Sequence, residues 1–139
     1  VKAIAVIHAF AILSTAFLFG GMTLYSFGFA AFLFSALPAA TAGKVLRQAF
    51  PWFYVFVIGT AVLAAASWWP IASVPAMTLL AVAFTALLAR QILMPAINAA
   101  TDAGQRRRFK WLHGLSVVIT LGHIAAIGWM LAGLVQIRA

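Results

Sequence analysis

Three histidines carry most of the side-chain chemistry available to this chain. His8 lies near the start, while His113 and His123 fall inside one stretch, "RRRFKWLHGLSVVITLGHI", residues 106–124. Imidazole is the commonest metal ligand and titrates nearest neutrality, so metal or haem ligation is the first chemistry to weigh. On one helix His113 and His123 stand about 15 Å apart along the axis and roughly 80° apart around it. Metal–nitrogen bonds are near 2 Å, so these two cannot share an ion. A shared site must recruit another helix, which leaves His8 and His123 as the pair for a haem b or metal centre. That pairing requires a large tilt or offset between their helices. His113, beside cations, is expected to bond a backbone carbonyl or a lipid phosphate. His123 is an ionisable group at membrane depth and needs a partner or a cavity.

The remaining chemistry is sparse. Cysteine is absent, which excludes disulfides, thiolate metal sites and cysteine nucleophiles. Asp102 is the only acid. Gln105 follows it by three residues and Arg106 by four, the spacing of a capping box and of a helical ion pair. It makes a poor general base, because adjacent cations lower its pKa. Gln91 and Asn98 read as interhelical hydrogen-bonders. There is no phosphate loop, no carboxylate pair and no serine triad, so the residues favour a non-enzyme.

The elements that position these groups follow from hydropathy. The 139 residues are 66% hydrophobic and only 7% charged, against about 25% in soluble domains. No charge occurs between Ala3 and Gly43, nor between Gln48 and Ala89, and about 20 apolar residues suffice to cross a bilayer. The runs do not alternate as barrel strands do. Helices satisfy their own backbone, as hydrocarbon demands. The sequence thus predicts an all-α integral membrane bundle of four transmembrane helices in one domain spanning 1–139, at about 3–35, 50–69, 75–94 and 103–136. The first is too long for one perpendicular crossing. It is either a single helix, tilted or bent at Gly20-Gly21, or a hairpin turning at those glycines; the single helix is preferred, since "GGM" offers no polar turn residue. Pro95 is expected to kink or end the third helix. The N-terminal run lacks the small-residue cleavage site of a signal peptide and reads as retained.

Charge gives the expected topology. The formal charge of +8 would point to nucleic acid in a soluble protein, but here the cations flank apolar spans and nucleic acid is not the expected partner. Lys44, Arg47, Arg90, Arg106, Arg107, Arg108 and Lys110 share one side, with Lys2 and Arg138 on the other. The positive-inside rule puts loops 36–49 and 90–110 in the cytoplasm and both termini outside, in a bacterial inner membrane. Arg106, Arg107, Arg108, Lys110 and His113 are expected to meet anionic lipid. Trp52, Trp68 and Trp69 bracket the second helix as interfacial anchors. Gly114, Gly122 and Ala126 place small residues on a face suited to close helix packing.

These segments carry a resemblance. "GFAAFLFSALPAATAGKVLRQAFPWFY", "MPAINAATDAG" and "FKWLHGLSVVITL" resemble the small four-helix membrane family that includes eukaryotic transmembrane protein 205, whose bacterial members carry a domain of unknown function. The likeness runs from His8 to Arg138, with Leu37-Pro38, Phe50-Pro51 and Leu112 to Ser116 its most specific pieces. It implies four membrane helices and no agreed reaction. Thr120 stands where that family commonly has asparagine. A more distant similarity, through His8 early in the first helix, is to four-helix haem and copper-resistance membrane families.

The leading expectation is a small non-enzymatic accessory subunit, packed against a larger membrane complex or against itself, with membrane lipid around it. The alternatives are a haem- or metal-binding redox protein using His8 and His123, and a small oligomeric transporter or channel.

Overall fold

The computed structural model describes residues 1–136 and shows four long helices: α1 (Lys2–Ala36), α2 (Ala39–Trp68), α3 (Ser73–Asp102) and α4 (Arg106–Gln136). Each is long and apolar enough to cross a membrane, and no strand occurs among the described residues. Connections this short force neighbouring helices to run antiparallel. The long first helix is thus one element rather than a hairpin. Arg138 lies outside the described residues.

The apolar spans fall where hydropathy predicts, but the helix ends do not. Residues 36–49, expected as a loop, are helical from Ala39 onward, leaving only Leu37 and Pro38 between helices. The third helix runs on past Pro95 to Asp102, and the expected loop 90–110 shrinks to residues 103–105. The physical reason is length. Thirty residues of helix reach about 45 Å, whereas the hydrocarbon is about 30 Å thick. Each helix therefore extends into the headgroups, where Lys44, Arg47 and Asp102 are welcome and need not mark an end.

The fourth helix begins at Arg106 rather than Ala103, because Gly104 closes the preceding one. It adopts φ +64°, a left-handed conformation that glycine tolerates best. Gln105 N–H donates to the Ala100 carbonyl and Gly104 N–H to that of Thr101, which together make a Schellman C-cap. Asp102 is thereby the last residue of α3, not the cap of α4.

Two wide π-helical turns interrupt the regular helices. One covers Leu24–Phe29 in α1, where the Ala30 N–H donates to Tyr25. The other covers Ala89–Leu93 in α3, where the Met94 N–H donates to Ala89. The second ends two residues before the proline and widens the turn into which the Pro95 ring projects. That is how the helix continues through it. Gly20 and Gly21 lie within unbroken α-helix, so the irregularity of α1 is at the π turn and not at the glycines.

The core is built largely of alanine. Ala61, Ala64 and Ala65 of α2 and Ala76, Ala83 and Ala86 of α3 are buried, with Leu18, Met22, Val57, Leu79 and Ile127 filling between. Lipid is as apolar as these side chains, so close approach and dispersion hold the helices together rather than expulsion of water. Tyr25 of α1 stacks on Phe53 of α2 with ring centroids 4.6 Å apart, and Phe50 meets it edge-on. Gly21 seats the Phe56 ring, and Gly128 seats that of Phe19; a Cβ at either glycine would overlap the ring.

Candidate functional site

Three polar pairs tie the helices together, and they account for most of the candidate residues. Trp68 Nε1 donates to Thr15 Oγ1 at 3.0 Å, joining α2 to α1, while that hydroxyl donates to the Ala11 carbonyl at 2.7 Å. Trp68 is only 1% exposed, so it is a core residue and not an interfacial anchor. A fully hydrogen-bonded indole can be buried at this depth. Trp52 and Trp69 do lie on the surface of the bundle.

Arg47 of α2 grips Asp102 of α3 with both prongs, Nη1 to Oδ1 at 2.6 Å and Nη2 to Oδ2 at 2.8 Å. The pair is exposed at the polar helix ends, beyond the apolar spans. The Arg47 guanidinium, through these hydrogen bonds, holds the Asp102 carboxyl below its ordinary range. The expected pairing of Asp102 with Arg106 is thus replaced by a partner 55 residues away.

The third pair is His123 of α4 with Thr85 of α3, Nε2 to Oγ1 at 2.7 Å. The Thr85 hydroxyl also reaches the Ala81 carbonyl at 2.7 Å. The hydroxyl has one proton, so either it goes to Ala81 and Nε2–H donates to Oγ1, or it goes to an unprotonated Nε2, according to the tautomer. His8 instead meets the Trp68 ring edge-on at 5.4 Å. Gly128 of α4 is level with Phe19 of α1, about 16 Å down that helix from His8. His123 is a further turn toward the basic end. The structure therefore keeps His8 and His123 on the order of 20–25 Å apart along the bundle, too far to ligate one iron or metal ion. No group of three or more His, Asp or Glu gathers among the described residues.

His113 lies near the basic end, its ring stacked parallel on Phe109 at 5.4 Å. It borders a narrow crevice of about 60 Å³ with Arg47, Tyr54, Asn98 and Ser116, room for about two water molecules. The Ser116 hydroxyl is turned to the His113 carbonyl at 2.7 Å and is not poised as a nucleophile.

Between α3 and α4 runs a larger groove of about 670 Å³. Its floor includes Ala81, Ala89, Leu112, Leu115, Gly122 and Ala126, with Thr85 and His123 its main polar feature. Gly122 and Ala126 therefore line an open groove instead of packing on a helix of this chain, and Gly114 is likewise free of any close neighbour. Gly128, unremarked in the sequence, makes the close contact of α4. Lys44 and Arg47 on α2 and Arg106, Arg107, Arg108 and Lys110 on α4 occupy the same end of the bundle. Arg90 does not. It sits on the second π turn, about 18 Å along α3 from Asp102, and its Nε is buried without a hydrogen-bond partner among the described residues. Tyr25, on the first π turn, has its hydroxyl in the same condition. The sequence signal for Arg90 was available: it interrupts an apolar run nearer to Leu88 than to the cation cluster.

A search of the curated proteins finds no match, and no solved structure matches the chain. A family model does: residues 13–106 match the domain of unknown function DUF4149. That region takes in α1 from Leu13, all of α2 and α3, and the turn into α4, so the chain belongs to the DUF4149 family of domains of unknown function.

Proposed function

We propose that this protein is a non-catalytic membrane bundle that works by association, as an accessory subunit of a larger complex or of its own oligomer. The observation that carries this reading is where the reactive side chains are spent. Thr15–Trp68, Arg47–Asp102 and Thr85–His123 fasten α1 to α2, α2 to α3 and α3 to α4. Burial is also lopsided. A third of the apolar windows of α2 and α3 is enclosed, against 6% for α4, so α4 has the widest surface to offer a partner. On the same reading the basic end faces the cytoplasm of a bacterial cell, and the family kinship extends to transmembrane protein 205 through Phe50-Pro51 and Leu112 to Ser116.

The test is native extraction of the tagged chain into polymer-bounded membrane discs. A stoichiometric complex, or a defined homo-oligomer, is expected; Val118→Ala and Trp129→Ala, both on exposed positions of α4, should lower its yield severalfold. A monomer in every preparation overturns the proposal.

Arg90 favours a second reading, transport by an oligomer. An arginine at membrane depth is costly and marks ion or substrate paths, and π turns recur at functional sites. Anion flux into liposomes, present in the wild type and lost in Arg90→Leu but not in Arg90→Lys, is the expected signature; equal flux in all three removes it.

A further inference from the structure

We propose that the α3–α4 groove and the basic turn beneath it form one binding site for an anionic phospholipid, with an acyl chain in the groove and the phosphate on Arg106, Arg107 and Arg108. The two parts are continuous. Gln105, the three arginines, Trp111 and Leu112 line a hollow of about 680 Å³, and Leu112 is also the lowest α4 residue of the groove.

Dimensions fit one leaflet of lipid. From Leu112 to His123 the α4 wall rises about 16 Å, half of a hydrocarbon core about 30 Å thick. The chain would run over Leu112, Leu115 and Ile119 and end beneath the Thr85–His123 pair. Small residues leave the floor open, since a Cβ at Gly122 would meet nothing within 4 Å.

Charge identifies the headgroup. The chain has one acid against nine lysines and arginines, and that acid, Asp102, is held bidentately by Arg47. Nothing acidic remains to offset Arg106, Arg107, Arg108 and Lys110, four cations within the first five residues of α4. The helix N-terminus adds its own positive end. Arginine is suited to phosphate through paired N–H donors. Trp111, exposed beside these cations, sits at headgroup level, where indoles are favoured. A phosphodiester with apolar chains matches both halves of the site; a zwitterionic lipid matches only the groove.

Native mass spectrometry of the full chain, with phosphatidylglycerol and phosphatidylcholine of identical acyl chains, tests the assignment. The wild type is expected to retain one phosphatidylglycerol with about tenfold preference. Replacing Arg106, Arg107 and Arg108 together by glutamine should erase the preference. Gly122→Phe, which fills the groove and leaves every charge in place, should cut retention at least fivefold. Inorganic phosphate at millimolar concentration should not compete. Equal retention of both lipids overturns the proposal. So does Gly122→Phe with undiminished binding, competition by inorganic phosphate, or a dimer whose contact covers the groove. The accessory reading stands or falls separately, on co-extraction.

Discussion

Trp68→Ala is expected to destabilise the bundle by about 3 kcal/mol, a shift of roughly two orders of magnitude in the folding equilibrium measured by denaturing-detergent titration. Soluble cores lose about 3–5 kcal/mol for such a truncation, part of which is transfer of the side chain out of water. That part is missing here, because the unfolded helices remain in an apolar phase. What remains is the cavity, the lost contacts with the His8 ring and the lost bond to Thr15. The bond itself is the smaller share. Interhelical hydrogen bonds in membranes average about 0.6 kcal/mol, and the Thr15 hydroxyl keeps its own acceptor at Ala11. Thr15→Val should therefore cost about 1 kcal/mol, chiefly for leaving the indole N–H unpaired. If Thr15→Val proves as damaging as Trp68→Ala, the hydrogen bond and not the packing governs this contact.

Gly128→Leu is expected to have the next largest effect, about 2–3 kcal/mol, from overpacking. A Cβ there would lie 2.9 Å from Cε2 of Phe19, and the longer side chain cannot be accommodated by a small ring rotation alone. The α1–α4 contact must open. Cross-linking between cysteines placed on these two helices should fall with it, while α1–α2 cross-links persist. The matched variant Gly122→Leu, at a position facing the open groove, should leave stability within about 0.5 kcal/mol of wild type. Equal losses at both glycines would show that propensity rather than packing is responsible.

That contrast explains how much of the molecule is legible in its sequence. The four spans are legible because hydrocarbon tolerates little else than a long uncharged run. Their ends are not, since a charge such as Lys44 or Arg47 stops marking a boundary once a helix projects beyond the lipid. Pro95 reads as a kink or terminator by the same local logic, yet α3 runs through it, and Phe50-Pro51, where the second helix is expected to begin, lies well inside α2. Nothing local distinguishes Trp68 from Trp69, adjacent indoles about 100° apart around a helix that is apolar on every side. The partner of His123 is a threonine 38 residues away, and only the register of α3 on α4 selects it. The same register decides that Gly128 is packed and Gly122 open. Asp102 misleads most plainly. Its spacing to Gln105 and Arg106 satisfies two local rules, and a bidentate guanidinium from α2 outcompetes both.

The tight connections have a consequence for assembly. Leu37 and Pro38, the turn after Trp68 and the turn at Gly104 leave α1, α2, α3 and α4 no choice of immediate neighbour, so the three sequential pairings cost little loop-closure entropy. Only the meeting of α4 with α1 joins opposite ends of the chain. Ring closure through Gly128 and Phe19 is then the pairing with the largest loop-closure cost, and without it the inner faces of both helices would be open to whatever else the membrane holds.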